Sequence, residues 1–152
     1  MIPVRASRRP LACSVAVTLT VATFVGPVAS AGMGDRMLAM INRKREAHGL
    51  HDVRPSRHLL RKARAHTRRM IRLNLLFHSR LPEPLAWRRS WGENVGCGPS
   101  LRRIMHAMMR SPEHRANILR RGYHRAGMGV IEARGHNLCG RHSLWTTQMF
   151  RS

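Results

Sequence analysis

Two short stretches of this 152-residue chain hold the residue types that do chemistry. The first is Ser111-Pro112-Glu113-His114-Arg115-Ala116-Asn117-Ile118-Leu119. Ser111 is a good N-cap, because its oxygen can accept from the first free amides, and Pro112 suits the first helical position. Glu113 sits where the helix dipole favours a negative charge. The stretch therefore fixes the His114 imidazole in a first helical turn, with Asn117 and Ile118 following along the same face. The second stretch, Trp91-Gly92-Glu93-Asn94-Val95-Gly96, sets one carboxylate in a rigid, glycine-flanked segment. We expect the two stretches to meet around a cavity. An imidazole facing a carboxylate can help to hold a cation, or the two can pair across the core and tie two loops together. The residues alone leave both readings open.

Helices must position these residues first, and strands follow. Residues 33–47 place Met37, Leu38 and Ile41 on one face, with Asp35 as N-cap and Gly49 as the stop. Ser56 caps a longer helix with Leu59, Leu60, Ala63, His66 and Met70 inward and a run of arginines outward. His66 there reads as a core histidine with one nitrogen satisfied. Leu81-Pro82-Glu83-Pro84 is a loop. Pro99 or Ser100 opens a third helix, whose Leu101, Ile104, Met105 and Met108 read as core filling. The Ser111 helix ends near Gly122 or Tyr123. The period then changes to two: Gly127–Ala133 and Leu144–Phe150 read as strands, with Arg134–Asn137 able to turn between them. Helices before strands predict an α+β fold, an antiparallel sheet covered by helices.

Residues 1–31 read as a secretory signal: Arg5, Arg8 and Arg9, a short apolar run over Leu11–Val25, then Ala29-Ser30-Ala31. The run is too short for an ordinary membrane span of about 20 residues. An uncleaved anchor is the competing reading; otherwise no membrane span remains after cleavage. The domain is then 32–152, with a formal charge of +18 out of the chain's +21, nearly all of it arginine. An anionic partner such as envelope polymer or lipid headgroup fits that charge, and so does plain solubility. No compact basic motif with interleaved aromatics points to specific nucleic-acid binding. Cys97 and Cys139 remain in the domain; export favours a disulfide between them, and two buried thiols are the alternative.

Several spaced sets run through the domain in order: Leu38-x-x-Ile41-Asn42-x-x-Arg45 with Gly49-Leu50; Leu60-x-x-Ala63-x-x-His66-x-x-x-Met70; Phe77-His78-Ser79; Gly92-Glu93-Asn94-Val95; Ser111-Pro112-x-His114-Arg115-x-Asn117-Ile118-Leu119; Gly127-x-Gly129-Val130; and Trp145-Thr146-x-Gln148-x-Phe150. Together they resemble the CAP superfamily, or SCP domain, and its bacterial secreted members in particular. The resemblance implies a three-layer α-β-α sandwich. It also implies a cavity lined by two histidines and two acids, which holds zinc in several members. Matched residue by residue, these are His78, Glu93 and His114; the second acid has no clear match, and Glu113 stands nearest its place. Two imidazoles and a carboxylate suit zinc with an open fourth position, which could activate water. No His-Glu-x-x-His or Gly-x-Ser-x-Gly motif accompanies them. Relatives also bind sterols, fatty acids or other small apolar molecules. The expectation is a secreted binding module for a small apolar molecule or a divalent metal. A metal-dependent hydrolase and a cationic binder of anionic envelope polymers are the alternatives.

Overall fold

The computed structural model describes residues 32–80 and 90–152. The signal over 1–31 and the proline loop at 81–84 lie outside these residues. Four helices and four strands follow in the order α1 (Met33–Glu46), β1 (Arg54–Pro55), α2 (Arg57–Leu73), β2 (Trp91–Gly98), α3 (Leu101–Arg110), α4 (Pro112–Ile118), β3 (Arg125–Arg134) and β4 (His142–Arg151). The strands form one sheet in the order β1-β3-β4-β2. The long pairings β3–β4 and β2–β4 are antiparallel, while the two-residue β1 joins β3 in parallel. The expected α+β sandwich is present, with α2 on one face of the sheet and α1, α3 and α4 on the other.

Strand alternation decides which residues face which layer. Met128, Val130 and Phe150 join Met37, Ile41, Ile104, Met105, Met108 and Ile118 in the larger core. Met149 and Trp145 point the other way, to Leu59, Ala63 and Met70 of α2. Helix α2 lies almost on the backbone of β3. A Cβ at Gly129 would stand 2.5 Å from the Ala63 backbone, and one at Gly127 would stand 2.2 Å from the Leu60 nitrogen. Thr67 adds a polar stitch, donating its hydroxyl to Thr147 Oγ1 at 2.9 Å.

Local signals set most boundaries. Ser56 and Ser100 accept from Leu59 and Arg103 N–H groups as N-caps. Three details differ from the sequence reading. Gly32 is the N-cap of α1, and Asp35 reaches back from the third position to accept the Gly32 N–H at 3.2 Å. Helix α4 stops at Ile118, before Gly122. Trp91–Gly96, read as a rigid, glycine-flanked segment, belongs to a full strand, Trp91–Gly98. Its glycines weaken β-propensity in isolation, but they let helices approach. A Cβ at Gly92 would meet the Tyr123 hydroxyl at 2.3 Å, and one at Gly96 would meet Met108 at 3.1 Å.

Arg45 ties α1 to the end of α4. Its guanidinium is fully buried and donates to the carbonyls of His51, Ile118, Arg120 and Tyr123 at 2.8–3.3 Å. Burial lowers its pKa, and Asp52 pulls the other way. Replacing it with Met leaves those carbonyls unpaired, so Arg45→Met should lose about 3–5 kcal/mol in urea unfolding.

Cys97 and Cys139 form a disulfide with Cα atoms 6.0 Å apart, closing a separation of 42 residues. Chain-entropy reasoning gives such a loop about 4 kcal/mol. Cys97→Ser/Cys139→Ser should therefore lower the unfolding free energy by about that much, and reductant should no longer affect stability.

Candidate functional site

The two chemistry-bearing stretches do meet, at edge strand β2, but through amides and carbonyls. Asn94 faces the α1/α3/α4 layer and donates to the His114 carbonyl and to Gln148 Oε1, both at 3.1 Å. Its own oxygen accepts from Asn117 Nδ2 at 2.9 Å, and Asn117 also donates to the Glu93 carbonyl at 3.2 Å. Gln148 carries the chain onward, donating to the sulfurs of Met108 and Met37 at 3.0 and 3.5 Å. This buried polar ladder fixes α4 against β2.

Glu93 lies one residue before Asn94, so its side chain emerges on the opposite face, the side of Met149 and α2. The segment after α2 grips it there. His66 donates from Nε2 to the Phe77 carbonyl at 2.7 Å, and its ring meets Phe77 edge-on at 4.9 Å. That bond satisfies one nitrogen of a buried histidine, as the sequence suggests, and it sets the next two residues. Ser79 donates its backbone N–H to Glu93 Oε1 at 2.8 Å and its hydroxyl to Oε2 at 2.5 Å. His78 donates from Nδ1 to Oε1 at 3.0 Å. The carboxylate is 3% exposed and the imidazole 62%, so His78 is an open cover over a closed acceptor.

His114 does not share this arrangement. Its Nδ1 hydrogen-bonds Ser111 Oγ at 2.9 Å, so Ser111 holds the imidazole instead of capping backbone amides. Of the two open readings, the pairing of His114 with Glu93 is replaced by the pair His78–Glu93. Glu113 is exposed on α4. Among the described residues, no three or more His, Cys, Asp or Glu side chains stand close enough to hold a metal. Both Glu93 oxygens already accept from protein donors, and His114 is engaged by Ser111 instead. As arranged, His78, Glu93 and His114 do not fit a zinc ligand set. The acceptor instead anchors the Phe77–Ser79 segment to the sheet. Asn94, Asn117, Gln148 and Ser79 stand in the spaced sets of the sequence, but residue type alone gives them no roles. Their amides and hydroxyl were visible, but the register that pairs them was not.

A separate cavity of about 450 Å³ opens between α1, the start of α3 and the β3–β4 hairpin. Met33, Met40, Pro99, Leu101 and Leu144 line it, together with the polar Arg36, Arg102, Glu132 and His142. That size and lining are typical of a small-molecule pocket.

Exchanging the Glu93 carboxylate for an amide should release the Phe77–Ser79 segment, because a charged acceptor becomes one carbonyl plus one donor. Glu93→Gln should lose about 2–3 kcal/mol of stability, with faster hydrogen exchange at the Ser79 amide.

The sequence pattern of CAP, the cysteine-rich secretory protein family, matches residues 38–150. No curated protein matches the sequence. Among solved structures, an outer surface protein of Borrelia burgdorferi superposes with a TM-score of 0.63 at 14% identity, over 77% of this chain and 90% of that one. An extracellular protein of Bacillus anthracis containing an SCP domain gives 0.58 at 19% identity, over 82% of this chain and 44% of that one. At these identities the likeness is one of fold.

Proposed function

The chain belongs to the CAP family of cysteine-rich secretory proteins, and from that premise we propose that it is an exported binding module for a small apolar molecule with an acidic end. The observation that carries this reading is the cavity of about 450 Å³ whose apolar lining is joined by Arg36, Arg102 and His142, its one acid, Glu132, already pairing with Arg134. Methionine and leucine side chains give a deformable apolar wall, and two guanidiniums supply charge-assisted donors for a carboxylate or phosphate. The His78–Glu93–Ser79 cluster, closed at Glu93 and open at His78, has a structural task in this reading, holding the segment after α2. No catalytic step is assigned to it, and no metal is needed for the binding proposed.

Export is part of the same proposal. The apolar run within residues 1–31, the Cys97–Cys139 disulfide and the extracellular naming of the B. anthracis relative all favour it.

The test is occupancy. Protein purified without detergent should release a small amphipathic molecule under denaturing mass spectrometry. Met40→Trp, which fills the cavity from α1, should reduce that release at least tenfold while the melting temperature stays within a few degrees. Absence of any released molecule, together with no binding of a fluorescent fatty acid, would remove the proposal.

A further inference from the structure

Three large apolar side chains stand out as exposed among the described residues, and all three gather at one tip. They are Leu73, Leu75 and Leu138, at 52%, 54% and 58% exposure. Leu73 closes α2, and Asn74 turns the chain in the left-handed conformation with φ 48°. The Asn74 side chain then accepts the Leu138 backbone N–H at 2.7 Å. That bond seats the β3–β4 turn beside the two leucines that flank Asn74. The turn is braced from within. Asn137 Oδ1 accepts from the Cys139 N–H and the Ser143 hydroxyl, both at 2.9 Å, and Cys139 is tied to β2 by its disulfide. Met70, Ala133 and Trp145 form a buried cluster beneath. A single exposed leucine needs no explanation, but three converging on one braced projection form an apolar patch.

The charge around the tip has one sign. The sequence has no Asp or Glu over residues 57–80 or 134–152. Arg68, Arg69 and Arg72 are exposed on the last turns of α2, and Arg134 and Arg141 are exposed at the turn. The nearest acid along β3, Glu132, already pairs with Arg134 at 3.6 Å.

We propose that this tip docks on the surface of an anionic lipid bilayer. The leucines enter the boundary between headgroups and acyl chains, while the surrounding arginines meet lipid phosphates. Apolar insertion and electrostatic attraction are the two terms that together hold peripheral proteins on membranes. A soluble polyanion would engage the arginines yet give no role to the leucines. A second copy placed tip to tip would bring two sets of arginines into repulsion. The bilayer is the partner that uses both features, and docking does not require the cavity to be filled.

The experiment is vesicle co-sedimentation at 0.1 M NaCl, using protein expressed from the full 152-residue sequence. Vesicles of phosphatidylcholine with 30 mol% phosphatidylglycerol (a chosen composition, on the order of a natural anionic leaflet) should bind it at least tenfold more tightly than pure phosphatidylcholine. Leu73→Ser/Leu75→Ser/Leu138→Ser should lose about tenfold or more of that binding, with an unchanged melting curve because the sites are exposed. If the triple variant folds poorly, Leu138→Trp decides, since its fluorescence should be quenched by brominated lipid in anionic vesicles. Three outcomes overturn the proposal. In one, the wild type and the folded triple variant bind equally, which makes the adhesion electrostatic and the partner a polyanion. In another, no vesicle binds either protein. In the last, ultracentrifugation shows a wild-type dimer that the triple variant dissolves while vesicle binding is absent, which assigns the tip to a second copy.

Discussion

The buried amide of Asn94 is the interaction on which this sandwich depends. It spends both N–H groups and its carbonyl on α4 and β4, and Gln148 extends the ladder to methionine sulfurs on α1 and α3. Every helix of one layer is thereby tied to the sheet through the Asn94 and Gln148 amides, both fully buried. A buried amide is costly unless it is satisfied, so such a ladder admits one register and penalises any slip. A shift of one residue would exchange Asn94 and Glu93 between faces and strand both. The position of the carboxylate is therefore a consequence of the position of the amide next to it.

Arginine plays two opposite parts in the same chain. Arg45 is enclosed and meets four carbonyls, where its planar fork matches several acceptors at once. The arginines along α2 are exposed on a helix without a single acid. The first kind specifies the fold; the second builds a field outside it. Helix α2 serves both ends, since its inner face rests on the glycines of β3 and its outer face carries the charge.

The apolar cavity and the leucine tip lie near the same end of the sheet. Glu132, His142 and Leu144 border the cavity, and Leu138 sits in the turn that joins their two strands. With that turn docked on a bilayer as proposed, the pocket would stand near a source of amphipathic molecules. The buried acid at Glu93 acts as a clasp, since Ser79 and His78 engage both its oxygens.

Much of this was legible without coordinates. Helical spacing marked all four helices and serines marked the starts of α2, α3 and α4, while alternation with β-branched residues marked β3 and β4. His66 was readable as a core histidine because it falls on an apolar stripe. The Cys97–Cys139 disulfide was one of two open readings. These are local properties, fixed by residue type and period. Strand β2 was not legible, because its glycines argue against a strand until helices are known to press on it. Nor was the choice of partners, His78 and Ser79 for Glu93 and Ser111 for His114, although both stretches were expected to meet. Adjacent residues of a strand face opposite sides, so whether a carboxylate joins a given histidine depends on which face the register assigns to it. Only the packed sheet decides that. Sequence alone supplied the groups that could react or bind; tertiary structure chose their partners, because pairing across a sheet is set by contacts between residues far apart in the chain.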